Sequence, residues 1–271
     1  MRQNIRIFHF ITEFLSKGSI PDWVEGHLFR AGPGKWDFED GFTVNHFLDG
    51  SALVYKFTIQ KGQVSVKSKF LDSEAYRKLS QFNRLVYTEF GTRSYPDLCK
   101  NIFQRFFAHF LPISFTDNTF ANICMLEDEM YLFSETNNIW KVNPEDLSCV
   151  EKTDITNVVS VDAATSHPHQ TSNGTIYNLG SSVITGLKYH VMKISPSTSA
   201  EGPKTFERVT IHSTISSSYK TSLGYYHSFG LSENYILLVE QPLLINTLKM
   251  AVSGIVGYCL RDLLEWYPKQ K

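Results

Sequence analysis

The sequence predicts an all-β fold made of many short strands, and three observations support this. Segments rich in β-branched and aromatic residues recur along the chain. Turn residues such as Lys-Gly, Asn-Gly and Asn-Pro separate them. Helix signals are sparse. These features are typical of sandwiches, barrels and propellers, and the recurrence of strand–turn–strand units of similar length favours a propeller.

The clearest unit is a hairpin near the start of the chain. Residues 51–59 (SALVYKFTI) are rich in strand formers, Lys61 and Gly62 make a turn, and residues 63–70 (QVSVKSKF) alternate apolar with polar side chains. The polar, turn-rich stretch 195–203 (SPSTSAEGP) predicts a surface loop. The pattern of the hairpin returns, and we predict further strands at 130–134, 139–142, 175–179, 187–194, 206–212 and 234–240.

Two stretches carry a helical pattern instead. Residues 5–15 (IRIFHFITEFL) are apolar but interrupted by charge, which favours a short amphipathic helix over a secretory signal. In residues 99–110 (CKNIFQRFFAHF), apolar side chains recur at helical spacing with cations between them. From the residues alone, that pattern is more typical of a helix packed on the core, and a helix lying in a membrane surface is the alternative.

Composition excludes several classes of function. Apolar residues make up 42% of the chain and aromatic residues 14%, which is enough for a folded core. The formal net charge of −1 gives no basic field for nucleic acid, and no run is apolar and long enough to span a membrane. The spacing of the four cysteines suggests no zinc site and fits reduced thiols in a cytoplasmic protein.

Two histidine segments are candidates for metal chemistry. His167 lies in Thr-Ser-His-Pro-His, where the following proline restricts it towards extended geometry, and His227 lies in Tyr-Tyr-His-Ser-Phe-Gly. A neutral imidazole is a good ligand for iron, copper or zinc. From the residues alone, a buried histidine bonded to a backbone carbonyl is the commoner outcome, so both interpretations stay open.

Several segments, taken together and in order, resemble the carotenoid oxygenase family. The similarity extends over almost the whole chain from about residue 18 to about residue 260, and within the family it is greatest to the vertebrate β-carotene 15,15′-oxygenases. The matching segments are 20–23 (IPDW), 28–34 (LFRAGPG), 45–50 (NHFLDG), 88–92 (TEFGT), 96–103 (PDLCKNIF), 134–137 (SETN), 164–169 (ATSHPH), 225–230 (YYHSFG) and 239–242 (VEQP).

The resemblance implies a seven-bladed β-propeller with a ferrous ion on its axis, held by four histidines. His167 matches the first of these ligands and His227 the second. Fe(2+) suits the chemistry because it can donate electrons to O2, which redox-inert zinc cannot. The implied activity is that of a dioxygenase that splits a polyene double bond of a carotenoid into two carbonyl products, with β-carotene giving retinal.

The resemblance also assigns roles to other residues. Glu135 matches a carboxylate that accepts the free ring N–H of a ligating histidine, and Phe90 matches an aromatic wall of the substrate tunnel. The segment 99–110 matches a membrane-facing patch beside the tunnel mouth, which implies a cytoplasmic protein peripheral on membranes. Leu98 replaces a proline common in the family, which puts acylation of Cys99 in doubt. The residues of this patch are Cys99, Ile102, Phe103, Phe106, Phe107 and Phe110.

Family members are roughly twice as long, so we expect this chain to form about half of a propeller. No histidine follows His227 in the sequence, and the other two ligands of the family are therefore missing. We divide the chain into a poorly matching segment 1–17, a partial propeller domain 18–260 and a divergent tail 261–271. Two hypotheses follow: a carotenoid dioxygenase chain that is inactive alone, or a non-enzymatic carotenoid-binding, retinoid-binding or regulatory isoform.

Overall fold

The computed structural model describes residues 9–10, 18–95, 115–183, 185–199 and 202–268. Within them the chain forms short strands and two helices. The helices are α1 (Glu74–Phe82) and α2 (Thr247–Val256). The strands are β1 (His9–Phe10), β2 (Gly26–Pro33), β3 (Ala52–Gln60), β4 (Gln63–Phe70), β5 (Asn122–Leu126), β6 (Glu129–Phe133), β7 (Asn138–Val142), β8 (Cys149–Asp154), β9 (Ala163–Ala164), β10 (His169–Gln170), β11 (Ile176–Ser182), β12 (Lys188–Ile194), β13 (Val209–Ser216), β14 (Ser222–Gly224), β15 (Gly230–Leu231), β16 (Ile236–Leu237), β17 (Leu243–Asn246) and β18 (Leu264–Trp266).

These strands form a series of small antiparallel sheets in chain order. The first has the order β1-β4-β3-β2 and the second the order β5-β6-β7-β8. In the third, β10-β11-β12-β13, the short strand β9 also pairs with β11. The last groups are β14-β17-β18 and the two-stranded β15-β16. Neighbours in sequence are mostly neighbours in a sheet, as expected for sheets built from hairpins.

The core lies between consecutive sheets, and β6 shows how. Met130 and Leu132 pack with residues of β3 and β7, while Tyr131 and Phe133 pack with residues of β9, β11 and β12. Successive side chains of a strand point to opposite faces, so a strand between two other sheets must be apolar at every position. Leu132 is fully buried, and burying a side chain of this kind contributes about 1.5–3 kcal/mol.

Polar side chains cap both helices. Ser73 accepts a hydrogen bond from Tyr76 N (3.0 Å) at the start of α1, and Asn246 accepts from the amides of Leu248 and Lys249 (both 3.0 Å) at the start of α2. The left-handed residue Gly257 (φ 88°) ends α2. The described fold is mostly β with two helices, so the predicted predominance of strands is confirmed and the two helices add to it.

Most of the predicted strands are present, with shifts at their ends. The predicted hairpin is formed by β3 and β4 with Lys61 and Gly62 at its turn. The predicted strand 206–212 begins only at Val209, because Thr205–Arg208 form a 3-10 turn. Of the predicted strand 234–240, only β16 is a strand.

Two of the helix predictions have different outcomes. His9 and Phe10 pair with β4 as strand β1, so at these two residues the amphipathic helix predicted for 5–15 is wrong. The predicted membrane-facing helix 99–110 lies outside the described residues. Among the residues that are described, no helix is long and apolar enough to cross a bilayer.

Candidate functional site

The two candidate histidines occupy equivalent places in neighbouring sheets. His167 lies between β9 and β10, and both of these strands pair with β11. His227 lies between β14 and β15, which pair with β17 and β16. Each histidine thus lies in a connection between two short strands, where a side chain is not constrained to the two faces of the pleat.

The two imidazole rings meet. Nε2 of His167 lies 2.8 Å from Nε2 of His227, with ring centroids 4.4 Å apart and ring planes at 62°. His167 is half-buried, whereas the side chain of His227 is 57% exposed. The sequence-predicted pair is therefore brought together, and the same ring nitrogen of each residue faces the other.

Glu135 lies on the other side of the His227 ring. Its Oε1 accepts a short hydrogen bond from Nδ1 of His227. The hydroxyl of Tyr225 lies 2.8 Å from Oε2 and 3.0 Å from Oε1 of the same carboxylate. A proton on Nδ1 leaves Nε2 of His227 with its lone pair free, which is the form that binds a metal ion.

Two further contacts join the histidine segments. Thr165 donates its hydroxyl proton to the carbonyl of His227, and Nε2 of His169 donates to the carbonyl of Phe229 at 3.0 Å. The ring of His169 also packs edge-on against that of Phe229, with centroids 4.5 Å apart. His169 is therefore a histidine bonded to a backbone carbonyl, which is the alternative that the sequence left open for His167.

Asn122 supports His167 from β5. Its amide donates to the carbonyl of Ser166 at 2.8 Å and lies 3.4 Å from Nδ1 of His167. Asn178 of β11 donates to the carbonyl of Thr165 at 2.9 Å. The backbone on the N-terminal side of His167 is thus fixed by side chains from two neighbouring strands.

Burial and charge favour the neutral imidazole at this site. Burial lowers the pKa of His167, and the neighbouring His227 lowers it further. Burial and the Glu135 carboxylate raise the pKa of Tyr225, so its hydroxyl stays a hydrogen-bond donor. The donor set of two converging imidazoles, one backed by a carboxylate, fits a divalent transition metal.

The distance between the ring nitrogens is consistent with such an ion. Two bonds of about 2.1 Å at a right angle place two nitrogens about 3 Å apart. Among the described residues, no group of three or more His, Cys, Asp or Glu could hold a metal ion. The described part of the chain therefore brings two imidazoles together without a third His, Cys, Asp or Glu that would complete a metal-binding group.

The other sequence-predicted residues lie elsewhere or outside the described structure. Phe90 is half-buried and packs against His46, with ring centroids 4.8 Å apart. Its carbonyl accepts a hydrogen bond from Arg261 N at 2.8 Å. The membrane-patch residues lie outside the described residues, namely Cys99, Ile102, Phe103, Phe106, Phe107 and Phe110.

Sequence reasoning missed four residues that build this site. Asn122, Thr165, His169 and Tyr225 all contact a histidine or the segment that carries one. Three of them lie within two residues of His167 or His227, so proximity in sequence was an available signal. Asn122 is 45 residues from His167 in sequence, and the two side chains come close because their two sheets pack against each other.

Comparison with known proteins places this chain in a family. The family model described as retinal pigment epithelial membrane protein matches residues 7–271. The human mitochondrial carotenoid-cleaving dioxygenase is 42% identical over 258 residues, covering 93% of this chain and 44% of that protein. Human β,β-carotene 15,15′-dioxygenase is 40% identical over 263 residues, covering 94% of this chain and 48% of that protein.

Solved structures agree on the fold. Cobalt-substituted apocarotenoid oxygenase from Synechocystis, a propeller protein, matches with a TM-score of 0.68 at 18% identity, over 94% of this chain and 50% of that one. A Glu150Asp variant of the same oxygenase matches with a TM-score of 0.67. The chain spans about half the length of the curated relatives it matches. The family model and the identity to both human dioxygenases show that the chain belongs to the carotenoid oxygenase family.

Proposed function

We propose that this chain forms part of an iron(II) dioxygenase of carotenoid metabolism, with His167 and His227 as two of the metal ligands. One observation carries the proposal: the Nε2 atoms of the two rings converge to 2.8 Å while Glu135 accepts from Nδ1 of His227. A direct hydrogen bond between the rings would give a similar distance. Metal binding by the chain therefore decides between the two.

Each residue of the site has a defined task in this proposal. His167 and His227 present neutral nitrogens, and Glu135 keeps the His227 ring in the tautomer whose Nε2 is free. Bound iron(II) supplies the electrons with which O2 is activated. Phe90 belongs to the substrate-tunnel wall in this proposal, where an aromatic ring suits a long apolar polyene.

The substrate class follows from the relatives, and the individual substrate does not. Proteins named carotenoid-cleaving dioxygenase and β,β-carotene 15,15′-dioxygenase are about equally identical to this chain. We therefore propose a carotenoid and O2 as substrates and two carbonyl products. For cleavage at the 15,15′ bond of β-carotene, the product is retinal.

Two imidazoles hold iron(II) more weakly than the four that the family resemblance implies. We expect the 271-residue chain to bind the metal and to give no turnover without further ligands. The competing candidate is a carotenoid- or retinoid-binding protein without iron. The side chain of His227 is 57% exposed, and in the dioxygenase proposal a further protein segment covers this exposed ring.

Metal binding tests the first part of the proposal. The chain and its His167→Ala, His227→Ala and His212→Ala variants are titrated with iron(II) under anaerobic conditions. His212 is an exposed histidine on β13, so its replacement is the matched control. We expect one iron per chain, a loss of affinity of at least about tenfold in either site variant, and no change in the control. Equal affinity in all four proteins would contradict the proposal.

Turnover tests the second part. The chain is incubated with β-carotene, iron(II) and O2, alone and after co-expression with the C-terminal half of human β,β-carotene 15,15′-dioxygenase, and carbonyl products are separated by chromatography. We expect products only from the co-expressed pair. Products from the chain alone would show that two imidazoles suffice, and carotenoid binding without iron would favour the non-enzymatic candidate.

Membrane association is the remaining part of the proposal. We place the patch residues of segment 99–110 against a lipid surface, from which a carotenoid substrate must be taken. Replacing Phe103 and Phe107 by serine is expected to release the chain from phosphatidylcholine vesicles in a flotation assay. Unchanged flotation would place these aromatic side chains in the protein interior instead.

A further inference from the structure

We propose that Tyr225 is a positioning residue, which holds the Glu135 carboxylate in the orientation that His227 needs. The inference rests on the proposed function, because it concerns how His227 is made ready to bind a metal. Tyr225 touches neither a substrate nor the reacting atoms in this proposal. Its hydroxyl also lies 3.3 Å from Nδ1 of His227, and the effect proposed here is exerted through Glu135.

The hydrogen-bond geometry gives each carboxylate oxygen its own donor. Nδ1 of His227 donates to Oε1 of Glu135. The Tyr225 hydroxyl is nearer to Oε2, at 2.8 Å, than to Oε1, at 3.0 Å, and its single proton is directed to the oxygen that His227 leaves free. Two donors at the two oxygens fix the rotation of the carboxylate, which one donor would leave free.

The backbone of Tyr225 is itself anchored. Its N–H donates to the carbonyl of Leu243 at 2.7 Å, and the side chain of Gln241 donates to its carbonyl at 2.7 Å. Glu135 reaches the site from another sheet, just after β6. Tyr225 therefore holds the long, rotatable side chain of Glu135 against the anchored backbone segment that carries His227.

A purely structural role for the hydroxyl is the rival explanation, and the neighbouring tyrosine provides a matched control. Tyr226 is half-buried like Tyr225, and its ring packs edge-on against Tyr189 with centroids 5.6 Å apart. Its hydroxyl hydrogen-bonds to the side chain of Ser181, and Glu135 acts on it only through its charge. Removing either hydroxyl by a Tyr→Phe change alters the protein by one oxygen atom, but only one of the two changes touches the carboxylate.

The test is a double-mutant cycle read by metal affinity. Cobalt(II) binding is followed by its visible absorption in the chain and in Tyr225→Phe, Tyr226→Phe, Glu135→Gln and the Tyr225→Phe/Glu135→Gln double variant. We expect Tyr225→Phe to weaken binding by about tenfold and Tyr226→Phe by less than about twofold. In the Glu135→Gln background, Tyr225→Phe is expected to have a clearly smaller effect, because the carboxylate that Tyr225 orients is replaced by an amide. Additive losses, or equal losses in the two tyrosine variants, would overturn the proposal.

A second readout needs no metal. Long-range proton–nitrogen NMR spectra report which ring nitrogen of His227 carries the proton, at a single pH. We expect Tyr225→Phe, and not Tyr226→Phe, to change the His227 signals towards a mixture of tautomers. Absence of cobalt binding to the unmodified chain would defeat the proposed metal role alone. In that case unchanged His227 signals in Tyr225→Phe would defeat this inference, and changed signals would uphold the effect on the ring.

Discussion

Glu89 and Glu135 both accept hydrogen bonds from hydroxyl groups, but the surroundings of the two side chains differ. Glu89 is 4% exposed and accepts from the Thr116 hydroxyl at 2.7 Å. The side chain of Glu135 is 29% exposed and accepts from a phenol and an imidazole. The comparison shows that the supply of water and donors, more than the residue type, decides what a carboxyl group does.

The Glu89 environment works against a negative charge. Burial raises the pKa of Glu89 to about 8, and Asp49 and Asp117 raise it as well, while the hydrogen bond from Thr116 opposes the shift. At neutral pH this carboxyl group is therefore mostly protonated. It serves as a neutral member of a buried polar cluster, whereas Glu135 faces an imidazole N–H and can orient it.

The largest expected effect is a pH dependence of stability caused by Glu89. Its folded-state pKa is raised above the unfolded value, so its contribution to stability is complete below about pH 4.5 and is lost as the pH rises to about 8. Between these values the free energy of unfolding of the chain should fall by about 1.4 kcal/mol per pH unit relative to Glu89→Gln, which does not titrate. Urea unfolding of both proteins at several pH values measures this difference.

A glutamate in water provides the control for this prediction. Glu233 is exposed, and Glu233→Gln should give the same pH profile as the unmodified chain. Parallel profiles for the chain and Glu89→Gln would show that the buried carboxyl group titrates as it does in water.

The second-largest expected effect is a loss of stability on replacing Asn118, which belongs to the same buried polar cluster as Glu89. Asn118 is buried, accepts from Ala52 N at 2.7 Å and donates to the carbonyl of Gly50 at 3.0 Å. Asn118→Ala leaves two buried backbone groups without partners, and we expect it to lower the free energy of unfolding by about 2–3 kcal/mol. The exposed Asn157→Ala should change it by less than about 0.5 kcal/mol. Urea unfolding at one pH checks both, and equal effects would mean that water replaces the lost partners.

Local pattern predicted the strands better than the helices. The run Met-Tyr-Leu-Phe of β6 is apolar at every position and short, which is typical of a strand buried on both faces. Helix α1 was missed although Ser73 and Asn83 mark its two ends, because the segment is short and mostly polar. Helix α2 contains Gly254 and several β-branched residues, which are poor helix formers, so its interior gives a weak helix signal although Asn246 and Gly257 mark its two ends.

The candidate site was predictable from resemblance and not from spacing. His167 and His227 are 60 residues apart, and nothing in the local sequence shows that their rings meet. The contact depends on how two sheets are placed, which is a long-range property. The supporting residues were beyond reach for the same reason, since Asn122 and Glu135 come from a third sheet.

His190 is expected to cause a pH dependence of stability that is smaller than that of Glu89 and opposite in sign. This buried histidine bridges Ser182 Oγ at 2.9 Å and Thr214 Oγ1 at 3.0 Å, and burial lowers its pKa. A depressed folded-state pKa means that its contribution is present above pH 6.5, the unfolded value, and is lost as the pH falls below it. Relative to His190→Gln, the chain should lose up to about 1.4 kcal/mol per pH unit in this range.

The exposed His212 separates this effect from general acid destabilisation. His212→Gln should leave the pH profile of unfolding unchanged, because this side chain is exposed on β13 whereas His190 is buried. If the two variants behave alike, burial does not hold His190 neutral in the folded state.

The smallest effect on stability is expected from replacing Glu135. The same replacement is expected to lower the metal affinity of the site strongly. Glu135→Gln keeps the shape of the side chain and leaves the group partly exposed, so the free energy of unfolding should change by less than about 0.5 kcal/mol. The amide is a weaker acceptor for Nδ1 of His227 than the carboxylate, and we expect cobalt(II) affinity to fall by about 10- to 100-fold. Glu89→Gln should show the reverse, with a changed pH profile of stability and unchanged metal affinity. A Glu135→Gln variant that loses stability but keeps its metal affinity would mean that both glutamates serve the fold, and that water and donors do not divide their roles as the comparison implies.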